Sequence, residues 1–368
     1  MKNKIKKLLI FGLTGVCLTA CLGAGTTKEA ADTAETENTE ASDKQTETTE
    51  NSDNRKESSR DIFAMDTYLT VTAYGEHGEK AVDAAEEEIL RLDALLSTGD
   101  ENSEIAKINS EHGGSLSEDT EYLIGRSLEL YKSTDGAFDI AIYPVMEAWG
   151  FTTQDYRVPE QEELEELLKG TDLSELQVDT EAHTVSMPEN MEIDLGGIAK
   201  GYTSARLMDL YREHGVTSGM VNLGGNVQVL GTKPDGSLWR VAVQSPDEEW
   251  DYLGIVSIQD KAVITSGGYE RYFEEDGVTY HHIIDPATGY PADSGLTSVT
   301  VVSADGTLAD GLSTSLFIMG AEKAEAYWRD HADEFDMILL TEEGNLLVTE
   351  GLEDSFETDL SVTMVRQK

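Results

Sequence analysis

Residues 61–75 read DIFAMDTYLTVTAYG, a stretch in which Leu69, Val71 and Ala73 alternate with Thr70, Thr72 and Tyr74. Alternation with a period of two marks a half-buried strand, so the globular part of the chain opens on one. The period then changes: residues 79–96 carry Val82, Ala85, Ile89, Leu92 and Leu96 at helical spacing, and residues 120–131 repeat it with Leu123, Leu128 and Tyr131. Residues 136–150 are Gly-bounded, apolar and aromatic, residues 159–168 predict a short acidic helix opened by Pro159, and residues 185–193 predict a weak strand. An amphipathic helix follows over 198–214 and stops at Gly215. Residues 220–223, 227–230, 239–243, 253–258, 262–265, 279–284 and 297–302 then read as strands separated by Gly, Pro and Asp turns. Helices over 308–319 and 321–331, and a hairpin of 337–340 with 346–349, close the chain. No repeat or low-complexity break divides residues 61–368, which predicts one large α+β domain with antiparallel or mixed sheets and packed helices.

Working back from residue 61, the segment 22–60 holds no aromatic residue, no Ile and no Val, and is rich in Thr, Glu and Ser. Such a composition cannot bury enough apolar surface to order itself, so residues 21–60 read as a disordered acidic tether. Ahead of it, Lys2, Lys4, Lys6 and Lys7 precede an apolar run over 8–20, the layout of a secretory signal and too short to span a bilayer. The run ends in Leu18-Thr19-Ala20-Cys21, which resembles the lipobox of bacterial lipoproteins. The resemblance implies cleavage after residue 20 and acylation of Cys21, with the chain held at the outer face of the cell membrane by buried methylenes. An ordinary secretory signal with an incidental cysteine is the plainer alternative.

Whole-chain composition narrows the function further. Lys and Arg number 27 against 72 Asp and Glu among 368 residues, a formal charge of −45, and no basic cluster follows residue 7, so nucleic acid is excluded as a partner. Cys17 and Cys21 are the only cysteines, which leaves the body without a thiol nucleophile, a disulfide or a thiolate metal site.

Four polar, Gly-rich clusters interrupt the apolar pattern: 136–139 (GAFD), 194–201 (DLGGIAKG), 281–289 (HHIIDPATG) and 309–315 (ADGLSTS). In the second, Gly196 and Gly197 open a helix whose free N–H groups can face an anion, with Lys200 one turn in. A strand-to-helix turn carrying a surface lysine is the plainer reading of the same residues. In the fourth, Asp310, Ser313 and Thr314 share one helix face, a hard oxygen set suited to Mg²⁺, or else a capped helix start with buried hydroxyls. In the third, one of His281 and His282 can face inward as base, ligand or satisfied structural residue.

In order along the chain, Met65-Asp66-Thr67, Ser97-Thr98, Gly136-Ala137-Phe138-Asp139, the Asp194–Gly201 run, Asn222-Leu223-Gly224-Gly225-Asn226, His282-Ile283-Ile284-Asp285-Pro286 and Ala309-Asp310 with Ser313-Thr314 resemble the motifs of the ApbE-like FAD:protein FMN transferases. That resemblance implies a single T-fold-related domain and Mg²⁺-dependent transfer of FMN from FAD to a Thr or Ser hydroxyl, with AMP leaving. It implies FAD contacts at Met65, Thr98, Ala137, Phe138, Asp139, Asp194, Lys200, His282, Ile283 and Ile284, and metal ligands at the Gly197 carbonyl, Asp310, Ser313 and Thr314. Lys200, His282 and Asp285 are the candidate catalytic residues, with His282 ahead of Asp285 as base. The implied acceptor is an extracytoplasmic flavoprotein subunit of a membrane electron-transfer complex. Hydrolysis of FAD to FMN and AMP, and simple binding of FAD or another nucleotide by a lipid-anchored protein, are the alternatives.

Overall fold

A computed structural model describes residues 55–246 and 252–368. The signal, Cys21 and nearly all of the tether lie outside the described residues. The chain begins with strands β1 (Glu57–Ala64) and β2 (Thr67–Tyr74), paired antiparallel through a turn at Met65 and Asp66. Both turn residues have positive φ (49° and 58°), the twist that matches a two-residue hairpin. Strand β1 reaches back into Glu57–Arg60, which the composition assigned to the tether. Cross-strand pairing with β2, and ion pairs from Arg60 to Asp83 and Glu86, order these residues in place of apolar burial.

Helix α1 (Gly78–Leu96) follows, with Val82, Ala85, Ile89, Leu92 and Leu96 buried as the spacing requires. Then come α2 (Glu104–Glu111), β3 (Gly113–Ser115), α3 (Glu118–Ser133), α4 (Tyr143–Ala148) and α5 (Gln161–Leu167). Ser103 and Ser117 cap α2 and α3 by accepting from Ala106 N and Thr120 N. Strands β4 (Gln177–Asp179) and β5 (Thr184–Ser186) are short; the strand expected over 185–193 shrinks to β5. Helix α6 (Ala199–Glu213) leads into β6 (Gly219–Leu223), β7 (Asn226–Leu230), β8 (Trp239–Gln244), β9 (Tyr252–Ile258) and β10 (Ala262–Gly267).

The hairpin of β11 (Tyr272–Glu275) and β12 (Val278–His281) precedes β13 (Leu296–Ser303), so the strand expected over 279–284 ends at His281. Helix α7 (Gly306–Asp330) breaks at Gly320, whose φ of 77° and ψ of 166° only glycine adopts readily. The two helices expected over 308–319 and 321–331 are the two sides of that break. Strands β14 (Phe335–Thr341), β15 (Leu346–Thr349), β16 (Phe356–Glu357) and β17 (Val362–Val365) complete the body.

Nine strands form one sheet in the order β1-β2-β6-β7-β10-β13-β14-β15-β17, antiparallel throughout except for the parallel β15–β17 pair. The central strands are buried on both faces, and alternation divides their residues between two cores. Ile264, Val299, Val301, Met337 and Leu339 face the helices, while Val263, Val302 and Ile338 face the small β8–β9 sheet. Helices, large sheet and small sheet thus make three layers, each burying what the next exposes. A separate aromatic cluster, Trp149, Phe151, Phe273, Tyr280 and Tyr290, supports the β11–β12 hairpin from beneath.

Candidate active site

The start of α6 is held by two carboxylates. Asp194 accepts from Gly196 N through Oδ1 (3.0 Å), and its own N–H donates to Ile140 O (2.9 Å). Asp139 caps the turn that contains Ile140 by accepting from Ala141 N (2.8 Å), so the GAFD and DLGGIAKG clusters are one structural unit. Farther along, a Cβ at Gly201 would lie 2.2 Å from Gly306 O and 2.5 Å from Asp310 Cβ. Only glycine permits that approach of α6 to α7. It lets Gly201 N donate to Asp310 Oδ2 at 2.7 Å.

Asp310 Oδ1 accepts from Asn226 Nδ2 at 2.9 Å. The Asn222–Asn226 motif is the β6–β7 hairpin, with Gly224 and Gly225 at positive φ (65° and 101°) and Asn222 Oδ1 accepting from Gly225 N. Its turn delivers Asn226 to α7. One turn along α7, Ser313 Oγ donates to Asp310 O (2.8 Å) and meets Ser266 Oγ (2.7 Å), which also lies 3.2 Å from Thr314 Oγ1. One carboxylate, its spare lone pairs and adjoining hydroxyls form an oxygen-only donor set, fixed by helix and hairpin, that fits a hard cation such as Mg²⁺.

Around Asp310 the electrostatics are concentrated on Lys200. Its charge acts on Asp194, Glu270, Asp310 and His282, yet it makes no ion pair within 4.0 Å among the described residues. Burial raises the Asp194 and Asp310 carboxyls above their usual range, opposed by Lys200 and by hydrogen bonds to backbone N–H. Burial likewise pushes Glu270 up to about 7, although its side chain is still touched by solvent, and Asp139 up to about 7. Carboxyls so perturbed, gathered around one lysine and still reached by solvent, mark a candidate functional site.

The paired histidines separate by their ring nitrogens. His281 engages both: Nε2 lies 3.2 Å from Ala292 O, Nδ1 accepts from Ile283 N (3.2 Å), and the ring meets Phe317 edge-on at 5.6 Å. It is a satisfied structural residue. His282 places Nδ1 3.1 Å from Arg271 O. A carbonyl only accepts, so Nδ1 carries the proton and Nε2 is a bare lone pair. Burial, reinforced by the Arg271 charge, lowers its pKa to about 3 and keeps the ring neutral.

Asp285 is placed differently from its sequence reading as a base. Its Oδ1 accepts from Ala287 N (2.9 Å) and its carbonyl from Gly289 N (2.8 Å), so it shapes the 285–290 turn and none of its hydrogen bonds reaches the Lys200 cluster. Phe138, Ile283 and Ile284 are also set back: their side chains are buried in the cores, and Phe138 lies under Gly197, where a Cβ would sit 3.4 Å from its ring. Met65 ties its turn to both α1 and α6: its N–H donates to Asp93 Oδ1 (3.0 Å) and its Sδ accepts from Thr203 Oγ1 (3.9 Å). Thr98 bonds the Tyr143 hydroxyl, which also feels Asp194, and Ala137 is half-buried beside Phe138. Glu270, Arg271, Asn226 and Ser266 are the site residues that sequence reasoning missed; of these, Asn226 alone stood within a recognised motif.

Both the sequence and the fold resemble those of known proteins. The sequence model of the ApbE family matches residues 65–339. The FAD:protein FMN transferase of Treponema pallidum (strain Nichols) is 32% identical over 297 residues, covering 75% of this chain and 82% of the relative. That of Escherichia coli (strain K12) is 31% identical over 309 residues, 81% of this chain and 85% of the relative. The crystal structure of the ApbE protein from Thermotoga maritima superposes with a TM-score of 0.77 at 34% identity, covering 81% of this chain and 98% of that one. The flavin transferase ApbE from Vibrio cholerae gives 0.73 at 27% identity, with 82% and 99% covered.

Proposed function

The chain belongs to the ApbE family and transfers FMN from FAD to a protein; we propose that it does so with Mg²⁺ held at Asp310, onto a Ser or Thr hydroxyl, at the outer face of the membrane. The observation that carries the proposal is Lys200, a cation left without an ion partner among Asp194, Glu270 and Asp310 in a strongly acidic chain. Such a group awaits an anion, and the FAD pyrophosphate supplies one.

Asp310, Ser313, Thr314 and the Gly197 carbonyl would hold Mg²⁺, which when bound supplies Lewis-acid charge to phosphoryl oxygens. The protein's own groups do the rest. Asn226 and Gly201 N aim the Asp310 carboxylate, and Lys200 neutralises the pyrophosphate. The acceptor oxygen attacks the phosphorus of the FMN half, the bond to the bridging oxygen breaks, and AMP leaves. His282 Nε2 accepts the hydrogen bond of the incoming hydroxyl and orients it. A neutral imidazole suffices for that role: in a loose transition state the hydroxyl keeps its proton until the bridging bond is largely broken, and the proton then passes to the departing AMP phosphate.

Incubation with FAD, Mg²⁺ and an extracytoplasmic flavoprotein, read by in-gel flavin fluorescence and AMP release, tests the proposal. One protein-bound FMN per AMP is the expected result. Fast release of free FMN with no covalent flavin assigns the chain to hydrolysis instead. The membrane assignment rests on Cys21: Cys21→Ala should leave activity intact and release the protein from membranes, and retention of that variant after a salt wash overturns it.

A further inference from the structure

Among the described residues, every arginine from Arg60 to Arg366 lies within 4.0 Å of a carboxylate except Arg271. With 72 acidic residues against 27 basic ones, an arginine without a partner is conspicuous. Carboxylates are not remote from it. Its charge acts on both Asp194 and Glu270, yet neither closes on it. One guanidinium nitrogen, Nη1, donates to Phe151 O at 3.4 Å, and the residue as a whole is exposed to solvent.

The root of the side chain is fixed. Arg271 O accepts from His282 N at 3.0 Å and lies 3.1 Å from His282 Nδ1, so the peptide that sets the histidine's protonated nitrogen also sets where the arginine starts. The aromatic cluster beneath the β11–β12 hairpin holds that peptide in place. A guanidinium without an ion partner on a rigid base, acting on the same two carboxylates, Asp194 and Glu270, as the unpaired Lys200, matches the two phosphates of a pyrophosphate. Its planar fork can take two phosphate oxygens at once, where lysine offers a point charge.

We propose that Arg271 is the second cationic arm of the site and binds the FAD pyrophosphate together with Lys200. This rests on the reading of FAD as substrate. The two fail separately: absence of FAD binding by the unaltered protein defeats that reading, whereas the behaviour of the variants below bears on Arg271 alone.

Riboflavin carries the same ring as FAD and no phosphate, which makes it the matched probe. Dissociation constants for FAD and for riboflavin, measured by flavin fluorescence with Mg²⁺ present, are compared for the unaltered protein, Arg271→Gln and Arg271→Lys. Arg271→Gln should weaken FAD binding by about tenfold or more and riboflavin binding by less than about twofold, with Arg271→Lys between. The FAD deficit should also shrink as salt is added. Equal loss for both ligands makes Arg271 a support for the hairpin and overturns the proposal. Unchanged FAD affinity overturns it too, including where the variant instead raises KM for the acceptor protein.

Discussion

Asn226 Nδ2 donates to Asp310 Oδ1 at 2.9 Å, so a hairpin turn 84 residues earlier in the chain aims the one carboxylate of the proposed metal set. Both groups are buried. Asn226→Ala leaves that oxygen without its donor, at a cost of about 1–3 kcal/mol. The variant should lose that much stability in urea and need more Mg²⁺ for half-maximal turnover. Asn226→Asp places a second carboxylate against the first and should be worse at neutral pH. A variant with normal stability and normal Mg²⁺ dependence would remove Asn226 from the site.

Asp310→Ala should abolish turnover while the far-ultraviolet circular dichroism stays that of a folded protein, since helix α7 continues on either side of it. Asp310→Asn keeps the shape and discards the charge, and should be impaired almost as severely. Near-normal rates from both variants at limiting Mg²⁺ would place the metal elsewhere.

Much of this arrangement was legible in the sequence. Period-two and helical spacings located the strands and helices that build the large sheet and one face of it. The clusters around Asp194, His282 and Asp310, each visible as a Gly-rich interruption of the apolar pattern, lie within reach of the Lys200 charge. The second face was not legible, because Val241 and Val243 in β8 show that one side is buried without saying against what. Nor was the edge strand β17, whose alternation is weak and whose parallel pairing with β15 is set by tertiary packing. Glu270 and Arg271 fall between the strands read over 262–265 and 279–284, where neither periodicity nor a motif singles them out. What marks them is the absence of an ion partner for either side chain among the described residues, which is visible only in three dimensions. The histidines were undecidable for the same reason: alternation says that one faces inward, while the hydrogen-bond partners at each ring nitrogen say which one has a nitrogen free.

That distinction can be checked by substitution. His281→Ala removes the acceptor of Ile283 N and the contact with Phe317, and should cost about 1–3 kcal/mol of stability with little change in kcat for the folded fraction. His282→Ala should leave stability closer to that of the unaltered protein and reduce kcat by about tenfold to a hundredfold, at or below the low end of what a full general base contributes, as suits a group that orients the hydroxyl. The reverse pattern would exchange the roles of the two rings.

Asp139 gives a dependence on pH that can be isolated. Its carboxyl is raised by burial from 3.8 to about 7, opposed by the hydrogen bond from Ala141 N and reinforced by the charge of Asp172. Between those values the folded protein holds a proton that the unfolded chain has released, so stability falls as pH rises from about 4 to about 7 and levels off above. Glu270 contributes with the same sign, so the slope of the unaltered protein alone does not identify Asp139. Asp139→Asn preserves an oxygen for Ala141 N and has no proton to lose. Its stability relative to the unaltered protein should therefore improve from pH 4 to about pH 7 and level off above, in urea titrations at constant ionic strength, without FAD. Parallel stability curves over that range would show that the Asp139 carboxyl titrates alike in the folded and unfolded chain.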